Sequence, residues 1–117
     1  MNCNRVPYVG DDVDYKVYKD LGNSSVTVYR LGNHARVFNM WNISLDNIKT
    51  IVLDDIDKPL HVVDSPTFFN ADAKMVRIRL SGNAVTGWVV NTYGSGQFVE
   101  SSSSVLFGQF FYISERP

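Results

Sequence analysis

The feature that most constrains this chain is its succession of short apolar runs and turn-forming residues, with almost no helical periodicity. No window of twelve residues repeats apolar positions at spacings of three and four while avoiding glycine and β-branched residues. Instead, about eight strand-like runs follow one another every ten to fifteen residues or so, separated by Gly, Asn, Asp, Ser and Pro. This spacing is typical of antiparallel sandwiches. The sequence therefore predicts an all-β fold, a jelly-roll-like antiparallel β-sandwich of about eight strands.

Two neighbouring runs form the clearest predicted hairpin. MVRIRL at 75–80 leads to the turn residues Gly82 and Asn83, and VTGWVV at 85–90 follows. Gly and Asn tolerate positive φ at little cost, which favours a tight connection. Alternation along the first run places its two arginines on the outward face and its aliphatic residues on the core face. The full set of predicted strands is 13–19, 25–31, 34–45, 48–53, 60–63, 75–80, 85–90 and 105–114.

Size and composition indicate one folded domain with an ordinary surface. The 117 residues are 44% hydrophobic and 13% aromatic, enough to build a core. Eleven basic and twelve acidic residues leave a net charge of −1, so no nucleic-acid partner is expected. The apolar runs are too short for membrane insertion, and the N-terminus does not resemble a secretory signal. We divide the chain into an N-terminal extension with the first strand, 1–24, and a sandwich head domain, 25–117.

The single cysteine, Cys3, lies close to the N-terminus. The simplest interpretation is a tail thiol in a protein made in a reducing cytoplasm. A cysteine that carries a lipid or forms an intermolecular bond is the alternative.

No residue pattern in the chain indicates catalysis or metal binding. His34 and His61 are the only histidines, and no serine lies in a Gly-x-Ser-x-Gly elbow. The acidic patches at 11–14 and 54–57 match no Ca²⁺-binding loop, so we interpret them as solvated turns. Two histidines and one distant cysteine are too few for a zinc site. We therefore expect a protein that is not an enzyme and that needs neither a cofactor nor a metal.

Recognition chemistry remains, because aromatic and planar polar side chains are abundant. Saccharide sites combine an aromatic face with side chains that donate and accept hydrogen bonds. Alternation along 34–45 predicts that Trp41 points into the core, while the opposite face is solvent or a rim between subunits. Trp88 is left open between core packing and a site, and the loop 91–104 between a recognition loop and a connector. The candidate saccharide-binding residues are His34, Arg36, Asn42, His61, Asp64, Trp88, Asn91 and Tyr93.

The last predicted strand, VLFGQFFYI at 105–113, is apolar on both sides apart from Gln109. Strands of this kind usually lie in the centre of a sheet with both faces covered. The second face can be covered within the domain or by another subunit. We expect this strand to contribute to an oligomer interface.

Three segments carry a resemblance to a known family. They are VTVYRLGNHARVFNMWNISL at 26–45, SPTFFNADAKMVRIRLSGNAVTGWVV at 65–90, and the closing VLFGQFFYI at 105–113. Together they resemble tailed-phage tail fibres and receptor-binding proteins, above all the head domains found in phages of Gram-positive bacteria such as lactococci. The resemblance spans roughly residues 25 to 114.

That resemblance implies a specific biology. Such heads are jelly-roll-like sandwiches that form homotrimers at the tail tip or fibre of the virion. They contact other tail or baseplate proteins and bind host cell-surface saccharides without cleaving them. The protein would be made in the bacterial host cytoplasm, as an isolated head or a smaller carbohydrate-binding module, because the long N-terminal shoulder and neck are absent. A structural or assembly protein of the virion and a bacterial carbohydrate-binding adhesin are the alternatives.

Overall fold

The computed structural model describes residues 14–90 and 99–117, which form two antiparallel β-sheets with a shared apolar core. The expected all-β sandwich of about eight strands is confirmed. The strands are β1 (Asp14–Asp20), β2 (Ser25–Arg30), β3 (Ala35–Ser44), β4 (Val63–Asp64), β5 (Phe68–Phe69), β6 (Met75–Ser81), β7 (Ala84–Val89) and β8 (Val105–Ile113); a helical turn, α1 (Leu45–Ile48), and a 3₁₀ turn (Asp55–Asp57) lie between β3 and β4.

The first sheet has the strand order β1-β2-β3-β8. Its first three strands are consecutive in the chain, and β8 returns from the far end of the sequence to pair with β3. The strand β1, which belongs to the 1–24 segment of the predicted division, is paired with β2 along its whole length. The expectation that the final strand lies in the centre of its sheet is wrong. Among the described residues, β8 pairs as a strand with β3 alone and is therefore an edge strand.

The second sheet is built around β6, which pairs with β7 on one side and with β4 and β5 on the other. Together β4 and β5 act as one edge strand that is interrupted at Ser65 and Pro66. Ile78 bridges the interruption, because its N–H donates to the Ser65 hydroxyl at 2.8 Å and its carbonyl accepts from the Ser65 N–H at 2.7 Å. Pro66 has no N–H to contribute to a ladder, so the strand breaks there.

The strand predicted at 48–53 does not form, because the chain enters it from the helical turn α1, which ends at Ile48 and is followed by a turn at 49–50. Ser44 caps α1, with its hydroxyl accepting from the Asn47 N–H at 3.3 Å. Leu45 and Ile48 then lie one turn apart and are both buried. Of the predicted strand, only an isolated bridge between Val52 and Ala84 remains. The error has a local cause, because Ser-Leu-Asp-Asn is an N-cap followed by helix-compatible residues.

The core lies between the two sheets. On β3 the buried residues belong to the face that the sequence predicts to be solvent or a rim between subunits. Phe38 and Met40 are buried, whereas the Trp41 side chain is 58% exposed. The reason is a β-bulge between Met40 and Ile43, where Asn42 has φ of 53°. The bulge adds one residue, so Ile43 reaches the core together with Phe38 and Met40. The prediction that Trp41 points into the core is therefore wrong.

No helix in the described part of the chain combines the length and the apolar character needed to cross a lipid bilayer.

Candidate functional site

Four side chains meet on the outer face of the second sheet, and we call them the Trp88 cluster: Asp64, Arg77, Arg79 and Trp88. Strand register brings them together, since Arg77 lies opposite Trp88 and Asp64 lies opposite Arg79. The guanidinium carbons of Arg79 and Arg77 are 5.2 and 6.0 Å from the centroid of the indole ring. Both distances are within the range of cation–π attraction.

Two polar contacts hold the arginines of the Trp88 cluster in place. Arg79 forms a two-pronged salt bridge with Asp64, with N–O distances of 2.6 and 3.0 Å. The hydrogen bond from Arg79 keeps the pKa of the Asp64 carboxyl below its ordinary value, so the carboxylate is ionised at neutral pH. Arg77 donates from Nε to the Ser65 carbonyl at 2.9 Å. Arg77 is thereby oriented by the interruption in the β4–β5 edge.

The cluster offers three kinds of group on one shallow surface. The indole presents an apolar ring, the guanidinium groups present planar donors, and the carboxylate of Asp64 presents acceptors. Side chains of Arg79 and Asp64 remain 47% and 30% exposed, so a ligand can reach them. Trp88 itself is half-buried. This combination suits a polyhydroxylated ligand, which needs donors and acceptors beside an apolar ring face.

Only part of the predicted site converges here. Asp64 and Trp88 come together, whereas Asn91 and Tyr93 lie outside the described residues. The prediction omitted Arg77 and Arg79, although the sequence carried the necessary signal. A tight turn at 81–84 sets the register of the hairpin, and counting back from that turn places Arg77 opposite Trp88.

Arg36, another predicted binding residue, cannot contribute to a surface site. Its side chain is 1% exposed, and its Nε donates to Asp57 at 3.1 Å. Its terminal nitrogen also donates to the carbonyls of Ile56 and Arg116, at 3.0 and 3.1 Å. The expectation that Arg36 faces solvent or a subunit rim is wrong, because regular alternation places Arg36 on the same side as the buried Phe38 and Met40, and the bulge brings Ile43 to that side as well.

Asp57 lies at the centre of a buried ionic cluster that contains Arg30, Arg36 and Tyr18. The prediction of solvated turn residues at 54–57 holds for Asp54 and Asp55, which are exposed, but the Asp57 side chain is fully buried. Arg30 donates to both carboxylate oxygens at 2.9 Å, and the Tyr18 hydroxyl donates as well. Burial opposes ionisation, but the hydrogen bonds from Arg30, Tyr18 and Arg36 outweigh it and hold the pKa of Asp57 below its usual value.

Two of the remaining predicted residues, His34 and Asn42, lie near opposite ends of β3. His34 occupies the β2–β3 turn with φ of 61°, and its Nδ1 is 3.0 Å from the Ser114 carbonyl. Asn42 lies in the bulge near the other end of β3, with Nδ2 donating to the Asn23 carbonyl at 3.2 Å. Eight residues of strand separate the two by about 26 Å. His61 is exposed in the loop before β4. His34 and Asn42 therefore form no common site.

The outer face of the first sheet is a second surface of interest, and we call it the aromatic face. Trp41 and Phe107 meet edge to face with ring centroids 4.7 Å apart, and Phe111 is 71% exposed. In its middle Asn39 lies opposite Gln109, and among the described residues neither amide side chain has a hydrogen-bond partner. The aromatic face consists of Tyr15 and Val17 together with the outward residues of β2, β3 and β8: Ser25, Thr27, Tyr29, Ala35, Val37, Asn39, Trp41, Phe107, Gln109, Phe111 and Ile113.

None of the side chains of the aromatic face is formally charged. An uncharged surface with exposed aromatic side chains has the composition typical of protein interfaces. Its chemistry differs from that of the Trp88 cluster, where ionised groups surround a single ring.

Within the described ranges, no three His, Cys, Asp or Glu side chains are grouped so that they could hold a metal ion. Comparisons of the chain with protein-family models, with curated proteins and with solved structures return no match.

Proposed function

We propose that this protein is a non-enzymatic binding module that recognises a saccharide of a bacterial cell envelope and serves in host adhesion on the virion of a tailed phage. The Trp88 cluster is the observation that carries the proposal. It joins an indole ring, an Arg–Asp pair and a second arginine on one exposed sheet face. Of the other predicted residues within 14–90, Arg36 is buried, and His34 and Asn42 lie near opposite ends of β3.

The chemistry of a sugar ring matches the groups of the Trp88 cluster. A pyranose has an apolar C–H face that packs on an aromatic ring, and its hydroxyls both donate and accept hydrogen bonds. Arg79 supplies donors and Asp64 supplies acceptors, and the salt bridge between them holds the donors next to the acceptors. Hydroxyls on neighbouring carbons can then bridge the pair. The sheet surface is shallow, so a single site binds weakly and several copies strengthen attachment.

Placement on a virion rests on the resemblance of residues 25–114 to phage receptor-binding heads. That placement adds a homotrimer and contacts with other tail or baseplate proteins to the proposal. The uncharged aromatic face is a suitable surface for such protein contacts.

The decisive experiment compares two matched arginine variants on a bacterial cell-envelope glycan array. Arg79→Gln removes one of the two guanidinium groups of the Trp88 cluster, while Arg116→Gln removes a similarly exposed arginine that pairs with Asp55 elsewhere. We expect the wild-type protein and Arg116→Gln to bind the same glycans. Arg79→Gln should bind them about ten- to a hundred-fold more weakly, because charge-assisted hydrogen bonds are lost.

The same array supplies the result that would overturn the proposal. Absence of binding by the wild-type protein, or equal binding by Arg79→Gln, removes the Trp88 cluster from saccharide recognition. Mass spectrometry of the bound glycans after long incubation should show no cleavage products, since the proposed module does not hydrolyse its ligand.

A structural role in virion assembly is the second candidate, and the aromatic face favours it. A surface with exposed Trp41, Phe107 and Phe111 and no charge is typical of permanent protein contacts. A pure assembly protein would bind no glycan, and adding it free would leave adsorption of phage to host cells unchanged. The proposed adhesin should compete for adsorption, and a bacterial carbohydrate-binding adhesin would bind glycans without being found in virions.

A further inference from the structure

The free edge of β8 has backbone groups that lack partners. Ala71 donates to the Val105 carbonyl at 3.0 Å, and Leu60 donates to the Ile113 carbonyl at 2.8 Å, both on the side of β8 that faces away from β3. Backbone groups alternate in direction along a strand, so the N–H and C=O of 107, 109 and 111 point the same way. Among the described residues, nothing bonds to these six groups.

The opposite edge of the same sheet is protected in the usual way. On β1, Lys16 and Lys19 place charges along the strand, and the pairing register shifts between Val17 and Lys19. Charged residues and bulges are the common means by which proteins prevent an edge from pairing with another chain. β8 has neither an internal charge nor a proline over its nine residues. The two edges of one sheet therefore differ in their readiness to accept a strand.

The exposed edge is also complementary to its own copy. Its outward residues read Phe107, Gln109 and Phe111, a sequence that is the same in either direction. In an antiparallel pairing centred on Gln109, Phe107 of each chain lies opposite Phe111 of the other, and the two Gln109 residues face each other. Aromatic cross-strand pairs stabilise a sheet, and an amide can both donate to and accept from its copy. The paired residues 107–111 include no charged side chain.

We propose that two copies of this chain pair edge to edge through β8, antiparallel across residues 107–111, and form one continuous eight-stranded sheet. The six free backbone groups on each copy then bond to those of the other copy. The paired segment 107–111 is about 13 Å long. Ala71 and Leu60 occupy the edge of β8 at the two ends of this segment. Beyond the segment, the right-handed twist of the strands separates the two chains. The aromatic face continues across the join.

This pairing produces a twofold dimer and takes the place of the homotrimer that the family resemblance implies, while the proposed saccharide recognition and virion placement stay as they are. It requires no saccharide and does not depend on the Trp88 cluster. Its failure would therefore leave the proposed function untouched, and failure of glycan binding would leave the dimer untouched.

Disulfide trapping tests the contact. In a chain with Cys3 changed to serine, Gln109→Cys places the two thiols at the centre of the pairing. A hydrogen-bonded antiparallel pair has Cα atoms about 5.5 Å apart, within the reach of a disulfide. Face-to-face packing of the aromatic faces would separate the sheets by about 10 Å, too far for a disulfide to form. Tyr15→Cys, on the exposed outer side of the protected β1 edge, is the matched control.

We expect light scattering of the wild-type chain to show the mass of two chains across the micromolar range. Mild oxidation should cross-link Gln109→Cys nearly completely and Tyr15→Cys hardly at all. Gln109→Lys should be monomeric, because it places like charges opposite each other, whereas Gln109→Asn should remain a dimer. A wild-type mass of one or three chains, or a dimer that the Gln109→Cys variant does not cross-link, would overturn the inference.

Discussion

At the scale of single residues, Asp57 organises one end of the sandwich. Its carboxylate accepts from Arg30, Arg36 and Tyr18, which lie on three different strands. The Tyr112 hydroxyl donates to the backbone carbonyl of the same residue at 2.7 Å, so β8 joins the network. A buried carboxylate is tolerated here because each of its oxygens is hydrogen-bonded to a cation.

Removing the charge of Asp57 should therefore be costly. Asp57→Asn leaves the fully buried guanidinium of Arg36 without its counter-charge and leaves Arg30 with the exposed carboxylate of Asp14 alone. We expect the free energy of unfolding at neutral pH to fall by about 3–5 kcal/mol, measured by urea denaturation. Asp54→Asn removes only the partly exposed pair with Lys16 and should cost less than about 1 kcal/mol. Equal losses in the two variants would contradict the central role of Asp57.

The same residue predicts how stability depends on pH. The pKa of Asp57 is lowered by folding, so its contribution is fully present above the unfolded value of about 4 and is lost as the pH falls through the folded value. The difference in unfolding free energy between wild type and Asp57→Asn should thus be constant from pH 5 to 7, or roughly so, and shrink below about pH 4. Denaturation curves at pH 7, 5, 4 and 3 measure it. A difference that grows towards low pH would refute the assignment.

At the scale of elements, close approach explains a glycine in the middle of a strand. Gly87 on β7 lies against α1 and β6. A methyl group at this position would approach Leu45 Cδ2 to 2.6 Å, Ile78 Cδ1 to 2.9 Å and the Arg77 carbonyl oxygen to 3.0 Å. The two side chains can move, but the backbone carbonyl belongs to the β6–β7 ladder. The short helix and the second sheet therefore pack only because this position has no side chain.

Gly87→Ala should test that packing. We expect a loss of about 1–3 kcal/mol in the free energy of unfolding, the usual cost of overpacking a core. Gly82→Asn in the same hairpin is the control, because Gly82 has φ of 58° with open space around it and Asn tolerates that conformation. The control should lose less than about 1 kcal/mol. Thermal or urea unfolding of both variants measures these losses. An unfolding free energy of Gly87→Ala equal to that of the wild type would show that α1 can move away from β7.

At the scale of the whole molecule, the two outer surfaces of the sandwich have opposite chemistry. The Trp88 cluster on the second sheet is charged, and the aromatic face on the first sheet is not. The buried Asp57 network ties β1, β2, β3 and β8 together at one end, whereas the β4–β5 edge is interrupted at Ser65. The first sheet is thus the more continuous of the two.

Native-state hydrogen exchange should reveal this difference. β3 is paired on both sides, so its amides from Val37 to Met40 should exchange slowest, near the rate of global unfolding. Amides of β4 and β5, which are two-residue strands on an edge, should exchange roughly a hundred-fold faster. Equal protection of β3 and β4 would mean that the sandwich opens as a single cooperative unit.

Local sequence determined the class of the fold and one part of the candidate site. The strand count follows from alternation and turn residues, and the tight turn after β6 sets the register that places Arg77 opposite Trp88. These features depend on neighbours within a few residues, so a sequence pattern can predict them.

Long-range contacts decided the rest. The bulge in β3 separates Ile43 from the face of Trp41 and puts it on the face of Arg36, and its placement depends on how β8 pairs from seventy residues or so further along the chain. Asp57 is buried only because Arg30 and Arg36 arrive from other strands to neutralise it. Whether β8 is central or at an edge is likewise a property of the assembled sheet. The sequence of β8 shows that the strand is apolar, but only the tertiary structure determines which of its two edges pairs with another strand.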